Sequence, residues 1–259
     1  MLPPLTVAIP TYSRWAFLRT LLPKLLGYRW VKHVIVSDDG GGDAMAIWSE
    51  SWGNHEKLSV HINDKRLGIF GNKRRCLELA KTEWVLLLDS DNEYTMESFE
   101  FLERADLEWS SRFQTDQGSV FNGESPVHRT WDSRAIYAAG GMRRLENGSE
   151  SRPLERFGDL EISRSNWESV CRLPGSSELL NDGNFLIHVS ALEYIPKDIP
   201  HDRYYAADMI AWLDLLINNG GWTYKVLKGL SYIHNVHNDS SWLKEAGESW
   251  NAMKVIKEN

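Results

Sequence analysis

Two aspartates separated by one serine, Asp89 and Asp91, directly follow a run of apolar residues, Trp84–Leu88. Such a run is typical of a strand buried on both faces in a parallel sheet. In an extended chain the two carboxylates would lie on the same side, with Ser90 turned away. Oxygen ligands at the carboxyl end of a parallel strand suit a divalent cation that also holds substrate phosphates. Because Asp and Ser are ordinary turn residues, a plain polar turn is the alternative.

The composition is that of an ordinary soluble protein, with 42% apolar and 25% charged residues in a chain of 259. The formal net charge of -7 argues against duplex nucleic acid as a partner. Cys76 and Cys171 form no disulfide or metal-binding pattern, which favours a reducing compartment. No apolar run approaches the roughly 18–20 residues of a membrane span. We therefore expect a cytoplasmic protein with no transmembrane segment.

Hydrophobic periodicity in the first half alternates between strand and helix. Apolar runs predict strands at Leu5–Pro10, Val34–Val36, Leu58–Ile62 and Trp84–Leu88. Three helices are predicted between these strands. The first follows a Ser13 cap and breaks at Pro23, the second spans Ala44–Trp52, and the third runs from Leu67 to Ala80. The alternation predicts an α/β fold with a doubly wound, mostly parallel sheet flanked by helices.

The second half is less regular. Short runs suggest strands at Ser119–Asn122 and Ala135–Ala139, and the polar stretch Arg143–Asp159 suggests a loop. Clearer patterns then predict a strand at Asn184–Val189, a helix at Tyr204–Asn219, strands at Trp222–Leu227 and Leu230–Val236, and a final helix from Ser240 or Ser241. Since no linker or internal repeat divides the chain, we expect one domain.

Four segments carry a specific combination of motifs. They are Val7–Arg14 with its Pro-Thr-Tyr turn, Val34–Gly40 with Asp-Asp-Gly, Leu67–Asn92 with a glycine turn, a helix and Asp-Ser-Asp, and Asn184–Asp208 with a strand and Ala-Asp. In this order and spacing they resemble the family 2 glycosyltransferases of the GT-A fold. There are departures: Lys73 takes the place of a family arginine, Ala207 that of a glutamate, and Asn92 that of a frequent aspartate.

The resemblance implies a metal-dependent, inverting glycosyltransferase. Such an enzyme would move a sugar from a UDP-, GDP- or dTDP-linked donor to a hydroxyl of a glycan or similar acceptor. The implied fold is a single GT-A domain, 1–259. It would have a Rossmann-like nucleotide-binding half at about 1–105 and an acceptor-side half with a smaller mixed sheet at about 106–259.

The resemblance also implies a site for Mn²⁺ or Mg²⁺. Asp91 would bind the ion directly, and Asp89 would reach it through water or hold the ribose hydroxyls. His234 and His237 lie where the family has a metal-binding histidine, and the sequence leaves open which of them binds. For either histidine, a polar residue at a strand end is the alternative.

Nucleotide recognition is expected at the ends of the first strands. Thr11 and Tyr12 would contact the ribose and stack on the base. Asp38 or Asp39 would accept a hydrogen bond from the imide N–H of uracil or thymine. A turn role is the alternative for one of these aspartates. The implied nucleotide-sugar site comprises Pro10, Thr11, Tyr12, Arg14, Asp38, Asp39, Gly68, Lys73, Asp89, Ser90 and Asp91.

Asp208 is the candidate general base, because it matches the aspartate of the family's Glu-Asp motif. A carboxylate beside the acceptor hydroxyl can remove its proton as the glycosidic bond forms. An acidic residue favoured by the helix dipole is the alternative. Asp182 is the reserve candidate for the base.

Two other functions remain open from the sequence. A sugar nucleotidyltransferase also uses a carboxylate-bound metal, but the turn after the first strand, Thr11–Arg14, contains no glycine. A non-catalytic carbohydrate-binding protein that retains the fold is the second. The apolar stripe Trp242–Ile256 favours packing on its own domain, with a peripheral membrane contact or a second copy of the chain as alternatives.

Overall fold

The computed structural model describes residues 2–104, 131–146, 149–198 and 208–237. In the first half the strands are β1 (Leu5–Thr11), β2 (Val31–Asp38), β3 (Leu58–Ile62), β4 (Trp84–Leu87) and β5 (Asn92–Glu93). The helices of this half are α1 (Trp15–Gly27), α2 (Asp43–Trp48), α3 (Gly68–Glu78) and α4 (96–104).

The second half contributes short helices and the two longest strands of the described sheet, β6 (Ala135–Glu146) and β10 (Thr223–Asn235). Its other strands are β7 (Ser149–Ser151), β8 (Glu161–Ile162) and β9 (Phe185–His188). Its helices are α5 (Trp167–Cys171), α6 (Ser176–Leu180) and α7 (Asp208–Asp214), and α7 continues into a π-helical turn, Leu215–Asn219.

A single mixed sheet runs through both halves in the order β3-β2-β1-β4-β9-β6-β10-β5. β1 pairs in parallel with β2 and β4, and β2 pairs in parallel with β3. The sheet becomes mixed at β9, which is antiparallel to both β4 and β6. The parallel part confirms the predicted strand–helix alternation, and its carboxyl ends all open on one edge.

Burial explains why the central strands read as apolar runs. Val7, Ala8 and Ile9 of β1 have no exposed surface, since neighbouring strands flank β1 and α3 packs against it. Helix α1 packs on β2 and buries one stripe of leucines, Leu18, Leu21, Leu22, Leu25 and Leu26. The two faces of the sheet are therefore covered by helices, as a buried parallel sheet requires.

The start and course of α1 differ from the prediction. The helix continues through Pro23 to Gly27 without a break. Pro23 lies on the exposed face, where water can bond the carbonyl that loses its donor. Ser13 does not cap the helix, because its backbone is left-handed, with φ at 55°, and the N-cap position belongs to Arg14. The next helix, α2, ends at Trp48 rather than Trp52.

Two predictions in the second half are also corrected. The predicted loop begins inside β6, because the main chain around Arg143 pairs with Ile233 of β10. The two strands predicted beyond Gly221 form one strand, β10. An irregularity in its pairing falls between Leu227 and Ser231, where Gly229 has a φ of 92°. The polar residues of β6 and Gly229 of β10 therefore lie within a long, irregular strand pair and do not end either strand.

Some predictions fall on other parts of the chain. The proposed strand Ser119–Asn122, the start of the helix predicted at Tyr204 and the final helix from Ser240 or Ser241 lie outside the described residues. Among the helices that the structure describes, none is both long and apolar enough to cross a membrane.

Candidate functional site

The carboxyl ends of the parallel strands open into a cleft of about 580 Å³. Residues from the second half close its other side, among them Asn181, Gly183 and Asn184. The predicted site residues that line it are Pro10, Thr11, Tyr12, Arg14, Asp39, Gly68, Lys73, Asp89, Ser90, Asp91 and His234. Ser90 lines the cleft because the chain turns after β4 instead of staying extended.

Two turns at this edge of the sheet hold each other through Asp43. Its buried carboxylate accepts a hydrogen bond from the Thr11 hydroxyl at 2.6 Å and another from the backbone N–H of Arg14 at 2.9 Å. Gly41 packs directly on the same turn, since a Cβ there would lie 2.1 Å from the backbone nitrogen of Ser13. The sequence prediction missed Asp43, although an acidic residue at the start of a helix was a signal for it.

Asp38 is part of the second turn. Its two oxygens accept the backbone N–H groups of Gly41 at 2.8 Å and Ala44 at 2.9 Å. The side chain is buried, and Asp38 is not among the described residues that line the cleft. The structure therefore places Asp38 in the turn that the sequence offered as an alternative.

Asp39 faces the cleft and holds the loop before α3. Its Oδ1 accepts the N–H of Leu67 at 2.8 Å and the side-chain N–H of Asn63 at 3.0 Å. Its Oδ2 accepts the N–H of Gly68 at 2.9 Å. Gly68 has a φ of 70°, a conformation that a residue with a Cβ adopts only at a cost. Asp39 thus fixes the glycine turn while remaining at the cleft wall.

An aromatic ring and a cation stand together at the mouth of the cleft. Tyr12 is 43% exposed, and the guanidinium of Arg66 lies 4.2 Å from the centre of its ring. An exposed ring of this kind offers a face for stacking a planar base. Arg66 also lines the cleft, although the sequence prediction did not include it.

Lys73 and Asp89 form an ion pair at the base of the cleft. The Nζ of Lys73 lies 2.6 Å from Asp89 Oδ1 and donates to the carbonyl oxygen of Gly183 at 3.2 Å. The side chain of Lys73 is only 3% exposed, whereas that of Asp89 is 32% exposed. The cation is therefore enclosed by protein, and the carboxylate presents the open side of the pair to the cleft.

Asn184 connects Asp89 with a second carboxylate, Asp182. The side-chain N–H₂ of Asn184 donates to Asp182 Oδ1 at 2.8 Å and to Asp89 Oδ2 at 3.2 Å. Its side-chain oxygen accepts the backbone N–H of Asp89 at 2.8 Å. Burial raises the pKa of Asp182 to about 6, against the lowering effect of its hydrogen bonds from Asn184. The sequence patterns predict Asp182 only as a reserve base and predict no role for Asn184.

Asp91 makes a separate set of contacts with the end of β10. Its Oδ2 lies 3.1 Å from His237 Nε2 and 3.8 Å from the Nε of Arg14. Its backbone carbonyl accepts the side-chain N–H of Asn235 at 2.7 Å. The ring of His237 packs on Phe17 at a centroid distance of 4.8 Å. The two predicted carboxylates thus face one cleft but have different partners.

The donor atoms around Asp91 fit a divalent cation. Within the described ranges no cluster of three or more His, Cys, Asp or Glu side chains could hold an ion by itself. A carboxylate and an imidazole do meet at Asp91 and His237, and hard cations such as Mg²⁺ are often held by one or two protein groups plus substrate phosphates. Because Lys73 lies 2.6 Å from Asp89, whereas Arg14 lies 3.8 Å from Asp91, the charge of Asp91 is less compensated and Asp91 is the better ligand of the two. His234 lines the same cleft.

The wall of the cleft that the second half forms carries charges that the sequence did not reveal. Arg144 of β6 lies 3.5 Å from Glu178 of α6, and both line the cleft. The predicted base, Asp208, begins α7, but its side chain lies outside the described part of the structure. Its neighbour Met209 lines the cleft. The start of α7 is therefore at the cleft.

Comparison with solved structures identifies the architecture. Residues 1–349 of S. aureus TarS in complex with UDP align with a TM-score of 0.61 and 17% identity, over 97% of this chain and 64% of that one. The complex of the same protein with UDP-GlcNAc aligns with a TM-score of 0.59 and 17% identity, over 92% and 60%. This chain thus spans less than two thirds of each of these two solved structures, and no curated protein matches it.

The fold is the GT-A fold, as expected, with a central sheet flanked by helices and a cleft at the strand ends. The sequence profile described as Glycosyl transferase family 2 matches residues 6–140, more than half of the chain. The chain belongs to glycosyl transferase family 2. This family generally uses divalent metal ions.

Proposed function

We propose that the chain is a metal-dependent, inverting glycosyltransferase that moves a sugar from a nucleotide diphosphate sugar to a hydroxyl of a glycan or similar acceptor. The observation that carries the proposal is the contrast between the two carboxylates of one cleft. Asp89 is neutralised by Lys73, while Asp91 meets His237. One carboxylate is thereby suited to polar contacts with the donor and the other to a cation on its phosphates.

The first half of the chain would bind the nucleotide. Tyr12, with Arg66 beside it, supplies a stacking surface for the base, and Asp39 lies at the wall where the base edge would lie. Arg14 stands 3.8 Å from Asp91, within reach of a diphosphate held there. The similar S. aureus structures contain UDP and UDP-GlcNAc, which supports a uridine donor among the UDP, GDP and dTDP candidates.

Mn²⁺ or Mg²⁺ would be held by Asp91 and His237, with His234 as the other candidate ligand. A divalent ion stabilises the charge that develops on a departing diphosphate. The protein groups hold their own geometry without it, since Asn235 and Phe17 fix the ends of the Asp91–His237 pair. An imidazole ligand favours Mn²⁺ somewhat over Mg²⁺.

Asp208 would act as the general base on the acceptor. Its position at the start of α7, next to a residue that lines the cleft, supports this role. Asp182 is less suited to it, because its side chain is buried and bound to Asn184. One displacement at the anomeric carbon, with the proton passing from the acceptor hydroxyl to Asp208, would invert the configuration.

A thermal-shift screen of nucleotides and sugar nucleotides, with and without Mn²⁺, tests the proposed function. Ligands that bind the native state raise the melting temperature by mass action, so the true donor should give the largest shift. Slow release of nucleoside diphosphate from that donor is expected in the absence of acceptor. Release of pyrophosphate would instead indicate a nucleotidyltransferase, and binding of sugars without either product would indicate a non-catalytic protein.

Asp208→Asn is expected to bind donor and metal normally and to lose turnover. Removal of a general base typically lowers the rate by about 10²–10⁴-fold. Since the contact is made mainly in the transition state, kcat and kcat/KM should fall together. Steady-state kinetics and the anomeric configuration of the wild-type product check this expectation. A nearly normal kcat, or a product of retained configuration, would contradict the assigned role.

A further inference from the structure

The side-chain amide of Asn184 lies between two carboxylates that belong to different parts of the chain. Asp89 follows β4 and faces the cleft, whereas Asp182 precedes β9 and is 6% exposed. Asn184 donates to both carboxylates and accepts the backbone N–H of Asp89. Its own backbone N–H donates to Asp182 Oδ1 at 3.0 Å. Asp182 thus fixes the side chain of Asn184, which in turn orients Asp89.

Asp182 stands at the wall of the cleft but is almost completely enclosed by protein. Its Oδ2 is buried and makes no close hydrogen bond with the described residues, and the hydroxyl of Tyr232 stands beside the carboxylate. Three fully buried tyrosines stand within range of its charge, since that charge, after burial itself, raises the pKa of Tyr94, Tyr224 and Tyr232. Asp182 therefore accepts from Asn184 through one oxygen and leaves little of its surface open to the cleft.

Burying a carboxylate is costly unless its hydrogen bonds compensate, so a buried aspartate whose second oxygen has no close partner among the described residues calls for a reason. Asn184 supplies it. An amide side chain can rotate to exchange its donor and acceptor ends. The acceptor Oδ1 of Asp182 holds the N–H₂ end of Asn184 towards Asp89 Oδ2 and the oxygen end towards the Asp89 backbone N–H.

We infer that Asp182 is a positioning residue for donor binding, which acts through Asn184 on Asp89. With Lys73 on one oxygen and Asn184 on the other, the Asp89 carboxylate has a single orientation towards the cleft. The inference rests on the proposed function in one respect, namely that Asp89 contacts the bound donor. It adds that Asp182, acting through Asn184, sets the affinity for that donor.

The test is a double-mutant cycle read by calorimetric binding of UDP in the presence of Mn²⁺. Asp182→Ala and Asn184→Ala should each raise the Kd for UDP by roughly tenfold, the size of effect expected when a hydrogen bond to a charged group is lost. The double variant should bind no more weakly than Asn184→Ala alone, because both changes break one pathway. Asp182→Asn, which keeps the acceptor oxygen, should restore the Kd to within about threefold of wild type.

Asp214→Ala is the matched control. Asp214 is also a buried aspartate that accepts from an asparagine, Asn218, at 2.6 Å, and it does not line the cleft. Its loss should lower the melting temperature and leave the Kd for UDP unchanged. If Asp182→Ala does not fold, Asp182→Leu fills the same space without an acceptor and carries the same expectation.

Three results would overturn the inference: a Kd for UDP in Asp182→Ala within about twofold of wild type, single effects that multiply in the double variant, or Asp182→Asn as weak as Asp182→Ala. The failure of the wild-type protein to bind any nucleoside diphosphate is a different result. It would refute the proposed function itself, before the variants are compared.

Discussion

At the scale of single residues, the ion pair at the base of the cleft depends on a missing side chain. Lys73 reaches Asp89 across Gly183, and a Cβ on Gly183 would lie 1.6 Å from Lys73 Nζ and 3.3 Å from Asp89 Oδ2. A buried cation is tolerated only when it is paired and hydrogen-bonded. The absence of a side chain at Gly183 is therefore what allows Lys73 to neutralise Asp89.

Gly183→Ala is expected to push Lys73 off Asp89 and to weaken the binding of UDP at least tenfold. The free energy of unfolding should fall as well, by about 1–3 kcal/mol, which is typical of overpacking. Calorimetry and urea unfolding measure the two effects. Gly27→Ala is the matched control, since nothing lies within 4 Å of a Cβ at that position. Equal UDP affinity in the two variants would contradict the importance of this close approach.

Asp91→Asn is expected to abolish the part of UDP binding that depends on Mn²⁺ while leaving the fold intact. The change removes the charge that would hold the ion and alters little volume. Thermal shifts with UDP, recorded with and without Mn²⁺, separate the two parts of the binding. Asp132→Asn, an exposed aspartate outside the cleft, should behave as wild type. A Mn²⁺-dependent shift that survives in Asp91→Asn would exclude Asp91 as the ligand.

At the scale of secondary-structure elements, the site is built from two strand-end turns held by one carboxylate. Asp43, at the start of α2, bonds the Thr11 hydroxyl at the end of β1 and the backbone at the start of α1. The position of the intervening residue, Tyr12, thus depends on a helix in the next unit of the fold. The sequence motif at the end of each strand indicates its own turn but not the contact between the two turns.

Asp43→Ala should loosen both turns together. Loss of a buried carboxylate that accepts several hydrogen bonds is expected to lower the free energy of unfolding by about 3 kcal/mol. The affinity for uridine, which uses the base and ribose contacts, should fall along with that for UDP. Urea unfolding and calorimetry check the pair of effects. If uridine binds normally to a destabilised protein, Asp43 serves stability alone.

The elements that could be predicted from the sequence are those whose environment is uniform along their length. β1, β4 and the Val34–Val36 part of β2 are buried on both faces and read as apolar runs. The second half of β6 could not be found, because Arg143 and Arg144 reach towards Glu150 and Glu178 while the main chain pairs with β10. The helix break predicted at Pro23 was wrong because Pro23 lies on the exposed face of α1, where a proline is tolerated.

The same distinction applies to the candidate site. Asp89, Asp91 and Lys73 stand next to recognisable strands and turns, so their place on the cleft followed from the order of elements. The link through Asn184 and Asp182 did not, because it joins residues nearly a hundred positions apart across the antiparallel pairing of β4 with β9. Such a contact depends on register, which apolar patterning alone does not specify.

At the scale of the whole molecule, the sheet joins two halves whose side chains meet in one cleft. The first half provides Lys73 and the two carboxylates, and the second provides Gly183, Asn184 and His237. Neither half contains a complete set of contacts. The stability of the joined sheet and the geometry of the cleft are therefore expected to respond together to the charge buried between them, that of Asp182.

The pH dependence of stability tests that expectation. Burial raises the pKa of Asp182 from its ordinary value of 3.8 to about 6 in the folded protein. The folded state therefore holds a proton more tightly than the unfolded state does. The resulting stability is fully present below about pH 4, is lost as the pH rises towards 6, and stays lost above it. The difference corresponds to at most about 3 kcal/mol.

Asp182→Asn removes this titration, so its free energy of unfolding should gain on that of wild type as the pH rises from about 4 to 6. Above about pH 6.5 the gap should become constant. Urea unfolding of both proteins across this range measures it, and groups that titrate independently of Asp182 cancel because both proteins contain them. Parallel curves would show that Asp182 ionises as freely in the folded protein as in the unfolded one. Its burial between the halves would then carry no electrostatic cost.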